Sequence, residues 1–224
     1  MGAQWLCKPR VGVRSPVGPP RVKYSMTQHL GSCGTIKNFV TEDELAGIVK
    51  IFKKMPTTPG YGNNGHYGIS QEHRAFLWFQ KILLNRIAAQ FNPDIKLIFG
   101  MLLDCQVPVD IHHDYKEIPD PNGKHYLSFL IPYSVDNQTD LCNAASTLIF
   151  DPSPTGDNNV SYLHPTKLSH VPIEDTYRYS LKQDLIWNCG DLLWWSSELY
   201  HTSSNFLKNG HQSKQGIVIH TYVV

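Results

Sequence analysis

Hydrophobic positions divide the chain into two regimes. Thr41-Glu42-Asp43-Glu44 forms a capping box, and Leu45, Ile48, Val49 and Phe52 follow at helical spacing, which predicts a helix over 42–54 closed by Pro56. The run from Gly60 to Gly68 is too rich in glycine for regular structure and reads as a loop. A second helix is predicted over 71–91, carrying Phe76, Phe79, Ile82, Leu83 and Ile87 before Asn92-Pro93 stops it. From residue 95 the pattern changes to short apolar or alternating runs separated by Pro, Gly, Asn and Asp, and eight strands are predicted, over 96–105, 107–114, 124–133, 146–150, 177–188, 191–195, 199–204 and 215–223. The expected fold is mainly β with N-terminal helices (α+β). It is a jelly roll, or double-stranded β-helix, on two supporting helices, whose narrow end can hold a metal between its sheets.

Composition narrows the class. With 224 residues, 41% of them hydrophobic, the chain can bury one sizeable core without disulfide staples. Its 20 Lys and Arg nearly balance 19 Asp and Glu, so no long-range field draws it to nucleic acid or an anionic membrane. The longest apolar stretch, Leu97 to Leu103, falls far short of the roughly 18 residues a spanning helix needs, and a soluble protein is expected. Five cysteines (Cys7, Cys33, Cys105, Cys142, Cys189) form no C-x-x-C pair, which argues against a disulfide framework or a thiolate zinc site and for free thiols in a reducing, cytoplasmic setting. The sequons at Asn137 and Asn159, without a secretory signal, read as chance matches.

Residues 1–25 differ from the rest: five basic residues, no acidic ones and four prolines. Prolines disfavour the amphipathic helix of a targeting peptide, and the stretch reads as a disordered tail or as an extension upstream of a start at Met26. Residues 26–224 then form one domain, with a helical support region over 26–94 and the jelly-roll core over 95–224.

Eleven histidines, about twice the usual share, direct attention to metal chemistry. In Val109-Asp110-Ile111-His112-His113-Asp114-Tyr115 the two-residue period of a strand projects His112 and Asp114 to one side and His113 to the other. His201, 89 residues after His112, offers a third ligand. Two imidazoles and a carboxylate leave three positions open, which suits non-haem Fe(II) binding a cosubstrate and O₂, whereas a closed zinc site uses four protein ligands. An isolated H-x-D is a weak signal, equally that of a hydrogen-bonded histidine at a strand end.

The order of H-x-D, strand pattern and distal His resembles that of the Fe(II)/2-oxoglutarate-dependent dioxygenases, nearest their prolyl hydroxylase-like branch. The resemblance covers residues 95–224, with Ser146–Phe150 similar to the family's mid-domain strand and Gly190-Asp191 similar to the turn leading to its distal His. It implies that His112, Asp114 and His201 bind Fe(II), and that a small-molecule or peptidyl substrate is hydroxylated with O₂ while 2-oxoglutarate becomes succinate and CO₂. It also implies that Lys214, 13 residues after His201, pairs with the far carboxylate of 2-oxoglutarate. The commoner pattern is Arg with Ser two residues later, whereas Lys214 is followed by Gly216, so the bidentate fork and the hydroxyl are both missing. Tyr126 and Ser128 touch the cosubstrate or face solvent, according to strand register.

His125, His164, His170, His211 and His220 have no partner at ligand spacing and read as surface or hydrogen-bonded core residues. Trp187, Trp194 and Trp195 read as core aromatics between the sheets, with one lining the substrate entrance as the alternative. Gly60–Gly68 and Asp151–Asp175 are candidate gating loops or mobile surface excursions. Two other readings remain: a cupin-like metalloenzyme that does not use 2-oxoglutarate, and a non-catalytic jelly-roll module.

Overall fold

The structure is a computed structural model that describes residues 32–54, 57–59, 65–69, 77, 79–114, 122–135, 145–152 and 158–224. The basic stretch 1–25, residues 60–64 and 153–157 of the two candidate loops, most of the first part of the second predicted helix and the sequon at Asn137 lie outside the described residues.

Ten antiparallel strands are described, in two sheets. They are β1 (Cys33–Ile36), β2 (Thr57–Pro59), β3 (Gly65–Ile69), β4 (Ile95–Cys105), β5 (Lys124–Val135), β6 (Ser146–Pro152), β7 (Tyr179–Ile186), β8 (Leu192–Ser196), β9 (Tyr200–Ser203) and β10 (Lys214–Val223). The larger sheet has the order β1-β8-β5-β10-β4-β3-β2 and the smaller β7-β6-β9. This is the expected jelly roll. Among the described residues no helix is long and apolar enough to cross a membrane, and Cys33, Cys105 and Cys189 carry no disulfide.

Helix α1 (Glu42–Phe52) begins where its capping box predicts. Glu44 N donates to Thr41 Oγ1 (3.2 Å) and Thr41 N to Glu44 Oε2 (3.0 Å), which satisfies two of the otherwise orphaned amides. The second predicted helix is a π-helical turn, Gln80–Leu84, running into α2 (Asn85–Gln90). Arg86 ties the two helices together by a fork onto Glu44 (2.5 and 3.1 Å) and by donating to the Phe39 carbonyl (3.2 Å). Leu45, Ile48, Val49 and Phe52 of α1 pack with Phe79, Leu83 and Ile87 onto one face of the larger sheet, against Leu102, Leu127, Phe129, Ile131, Ile217 and Ile219. At roughly 1.5–3 kcal/mol for each such side chain buried, this apolar cluster fixes which sheet face the helices cover. The opposite face is thereby left to meet the smaller sheet.

Several expectations are corrected. Residues 26–94 are not helical alone, because β1, β2 and β3 extend the larger sheet at both edges. Gly65 to Gly68, expected to be irregular, lie in β3, paired with Asp104 to Met101 of β4; a ladder needs only backbone donors and acceptors, which glycine retains. The strand expected over 107–114 shrinks to a single bridge, His112 to His201. Pro108 has no amide to give, and side chains take the carbonyls a ladder would use: the Thr202 hydroxyl donates to Val109 O and the His112 ring to Asp110 O. The 151–175 segment is partly regular, with a 3₁₀ turn at Val160–Leu163 and α3 (Ile173–Thr176). Val160, Leu168 and Val171 from this segment bury Leu148 and Phe150 on the outer face of the smaller sheet, a tertiary gain that local composition does not register.

The turn before β8 is held by buried Asp191, which accepts from Lys37 Nζ (2.7 Å), Asn38 N (2.9 Å) and Asn188 Nδ2 (3.1 Å). Its neighbour Gly190 has φ +82°, and a Cβ there would lie 2.7 Å from the Val40 carbonyl oxygen. Gly210 has φ +87° with nothing within 4 Å of a built Cβ. Gly190→Ala is therefore expected to cost about 2 kcal/mol or more, combining backbone strain with a backbone clash, and Gly210→Ala only about 1 kcal/mol. Urea denaturation of the two variants checks this ordering.

Candidate metal centre

The centre grows out of the central strand. β10 pairs with β4 on one side and β5 on the other, and opposed residues share a face. Lys214, Gly216, Val218 and His220 therefore point away from the helices, beside Cys105, Leu103, Met101 and Phe99 of β4. On β5, Ser128 opposes His220 and Trp195 of β8 opposes Ser128, so Phe99, His220, Ser128 and Trp195 form one row across four strands. Together with Thr147, Trp187, His112 and His201, most of this face encloses a cavity of about 230 Å³ with mainly apolar walls.

His112, Asp114 and His201 meet at this cavity. One ligand atom from each lies within 4.8 Å of the others, far inside the roughly 10 Å separation that would exclude a shared ion. Two atoms bound at about 2.1 Å to one metal lie at most about 4.2 Å apart, and about 3.0 Å apart when adjacent at a right angle, so closing the side chains by roughly an ångström brings all three onto one ion. The His112–His201 bridge sets the spacing through two hydrogen bonds, His112 N to His201 O (3.0 Å) and His201 N to His112 O (2.7 Å). Each ring spends Nδ1 on a backbone carbonyl, His112 on Asp110 O (2.7 Å) and His201 on Leu199 O (3.3 Å). That fixes both tautomers with the Nε2 lone pair free, 3.9 Å and 3.5 Å from the Asp114 oxygens. His113 points away, exposed beside the Tyr200 ring.

The protonation states suit a cation. Burial alone would raise the Asp114 carboxyl, but the imidazoles of His201, His220 and His112 and the Ser128 hydroxyl hold it well below the usual carboxylate range. Burial pushes His201 down to about 4, against the pull of Asp114. At neutral pH the cluster is a carboxylate with a neutral, ligating imidazole, and a buried carboxylate without a cation is costly.

Three further groups support Asp114. Trp195 Nε1 donates to Asp114 Oδ2 (3.1 Å), His220 Nδ1 lies 3.8 Å from the same oxygen, and Ser128 Oγ is 3.1 Å from His220 Nδ1. The period of β10 carried the signal for His220: it lies six residues after Lys214, on the same strand face. Ser128 thus sits under the carboxylate and does not line the cavity, while Tyr126 is buried in the cluster beneath the helices. Trp187 and Trp195 line the cavity, and Trp194 packs on Phe91 on the helix side. His164 and His170 are hydrogen-bonded, to Val171 O and Thr202 Oγ1.

Lys214 lines the same cavity, farther along β10, and is 2% exposed. Among the described residues it has neither a hydrogen bond nor an ion pair. Its Nζ lies 3.9 Å from the centroid of the Trp187 ring.

No protein-family profile and no curated sequence matches the chain. Solved structures do match its fold. The carbocyclase SnoK from nogalamycin biosynthesis, described as non-heme and α-ketoglutarate-dependent, superposes with a TM-score of 0.59 at 11% identity, covering 88% of this chain and 81% of that one. A Pseudomonas putida prolyl-4-hydroxylase gives 0.55 at 9% identity, covering 89% and 95%. HygX from Streptomyces hygroscopicus, solved with nickel and 2-oxoglutarate bound, gives 0.55 at 16% identity, covering 87% and 83%. This chain shares their fold.

Trp195→Phe keeps the ring and removes the N–H that orients Asp114. Its affinity for Ni²⁺ in titration calorimetry is expected to fall about 10- to 100-fold, and His201→Ala is expected to lose binding. Wild-type affinity in Trp195→Phe would contradict that role.

Proposed function

We propose that the protein is a non-haem Fe(II)- and 2-oxoglutarate-dependent oxygenase that hydroxylates a C–H bond of a small-molecule or peptidyl substrate. The observation that carries this reading is the pairing of two unmet charges in one cavity: a buried carboxylate between two histidines, and a buried ammonium with no protein anion among the described residues. A metal satisfies the first and an organic acid the second. The shared fold with SnoK and HygX supports the reading, and the latter was solved with the same cosubstrate.

His112, Asp114 and His201 are the proposed ligands, and the fit is to a hard-to-borderline divalent ion with open positions, since no fourth acidic, imidazole or thiolate donor joins the cluster among the described residues. Fe(II) with 2-oxoglutarate and O₂ supplies oxidation of an unactivated C–H bond, with succinate and CO₂ as coproducts. The chain's own part is positioning. Trp195 and Ser128 hold Asp114 through one oxygen and its neighbour His220, the Phe99, Met101, Leu103 and Val218 walls exclude water, and Lys214 anchors the far carboxylate. The His112 side chain is 42% exposed, so the metal end of the cavity is the end that solvent, and hence substrate, reaches.

Anaerobic addition of Fe(II) and 2-oxoglutarate is expected to give the weak visible charge-transfer band of the chelate, lost in His112→Ala and weakened in Lys214→Met. No band from folded, iron-loaded wild type would overturn the proposal. Burial lowers the Lys214 ammonium to about 8, opposed by Cys105 in its thiolate form; among the described residues the titratable groups near it are Cys105, raised to about 11, and His170, lowered to about 4. The anchor works only when protonated, so 2-oxoglutarate affinity is expected to fall as pH rises through about 8.

The same shift has a stability consequence without ligand. Between about 8 and the ordinary 10.5 the unfolded chain holds a proton that the folded chain lacks, so stability rises with pH across that window. Lys214→Met is therefore expected to stabilise the metal-free protein at pH 7 by roughly 1–4 kcal/mol, with the gain shrinking above pH 10, as measured by urea denaturation at both pH values.

A further inference from the structure

Lys214 and Gly216 stand where a larger basic residue and a hydroxyl would be the commoner pair, and the structure shows what occupies that space. Trp187, just past β7, is 1% exposed and lies over β10 from the smaller-sheet side. A Cβ built on Gly216 would be 3.3 Å from Trp187 Cη2, so the absence of a side chain there lets the indole pack closely on β10. Lys214 Nζ sits 3.9 Å from the centre of the same ring and 5.4 Å from that of Phe206. The ring is itself held, with Nε1 donating to Thr147 Oγ1 (2.9 Å) and its backbone N donating to Ala145 O (3.0 Å).

We infer that Trp187 is the positioning residue for the carboxylate anchor: its indole, pinned by Thr147, holds the Lys214 ammonium over its face and aims it into the cavity. The inference rests on the proposed role of Lys214 in binding 2-oxoglutarate. A lysine chain has four rotatable bonds and one point charge, so it lacks the built-in direction of a guanidinium fork. The negative face of an indole supplies direction without an anion that would compete with the ligand for the charge. A carboxylate in Trp187's place would neutralise the anchor, and a side chain on residue 216 would crowd the ring. Lys214, Gly216, Trp187 and Thr147 therefore work as one unit.

Two measurements test this. In protein labelled with ¹³C-lysine, the Lys214 Hε signals, assigned by their loss in Lys214→Met, are expected upfield of the other lysines through the Trp187 ring current and to return to ordinary positions in Trp187→Leu. For anaerobic 2-oxoglutarate binding to the Fe(II) protein, the Kd is expected to rise about tenfold or more in Trp187→Leu and by less in Trp187→Phe and Thr147→Val, which retain a ring over the ammonium. Lys214 signals without an upfield shift in the wild type would overturn the inference even if 2-oxoglutarate binds. Wild-type Kd in folded Trp187→Leu, with Lys214→Met still impaired, would also overturn it. Failure of the wild type to bind 2-oxoglutarate would instead overturn the oxygenase reading and leave the ring-current result to decide the Trp187–Lys214 arrangement alone.

Discussion

The site depends on β10 being paired along both edges while obeying a two-residue period. Its odd-numbered apolar residues, Ile217 and Ile219, are driven against α1 and α2 by the apolar cluster there. The alternate residues, Lys214, Gly216, Val218 and His220, then have no choice but to face the cavity. A slip of one residue would place an ammonium and an imidazole in the helix-packed core and two isoleucines at the metal end. Registry against β4 and β5 is thus what converts hydrophobic burial on one face into polar order on the other.

That polar order opposes folding locally. Asp114, His201, His220 and Lys214 are each 6% exposed or less, and Lys214 has no protein counter-charge among the described residues. The protein keeps these groups buried by surrounding them with apolar walls and by satisfying them at single atoms: Trp195 on one Asp114 oxygen, Ser128 on His220 Nδ1, and backbone carbonyls on Nδ1 of His112 and His201. Rigid supports of this kind leave the remaining valences aimed at the cavity. Ligands are therefore expected to contribute strongly to the stability of the molecule, because binding removes charges that the fold alone leaves unmet.

Much of this was legible in the sequence. The α1 cap, the core strands after residue 95, the H-x-D and its distal His follow from local chemistry and period, whereas Lys214 was singled out only by what the family resemblance implies. What was not legible depended on tertiary partners. β3 forms from a glycine-rich run because β4 offers an edge, and residues 107–114 fail to form a ladder because Thr202 and the His112 ring take its carbonyls. His220 looks like a surface or hydrogen-bonded core histidine and Trp195 like a core or entrance aromatic, since nothing local shows that they share a row with Ser128 beneath Asp114. The role of Gly216 appears only when the ring of Trp187 is seen above it.

The central claim is that one ion and one dicarboxylate occupy this cavity in a fixed relation. The most direct measurement is a crystal structure of the protein grown anaerobically with Mn²⁺ and 2-oxoglutarate, with anomalous data collected to locate the metal. A single anomalous peak is expected about 2.2 Å from Nε2 of His112, Nε2 of His201 and an Asp114 oxygen. The far carboxylate of 2-oxoglutarate is expected on Lys214 Nζ beneath the Trp187 ring. A peak elsewhere, or a dicarboxylate bound away from Lys214, would contradict the claim.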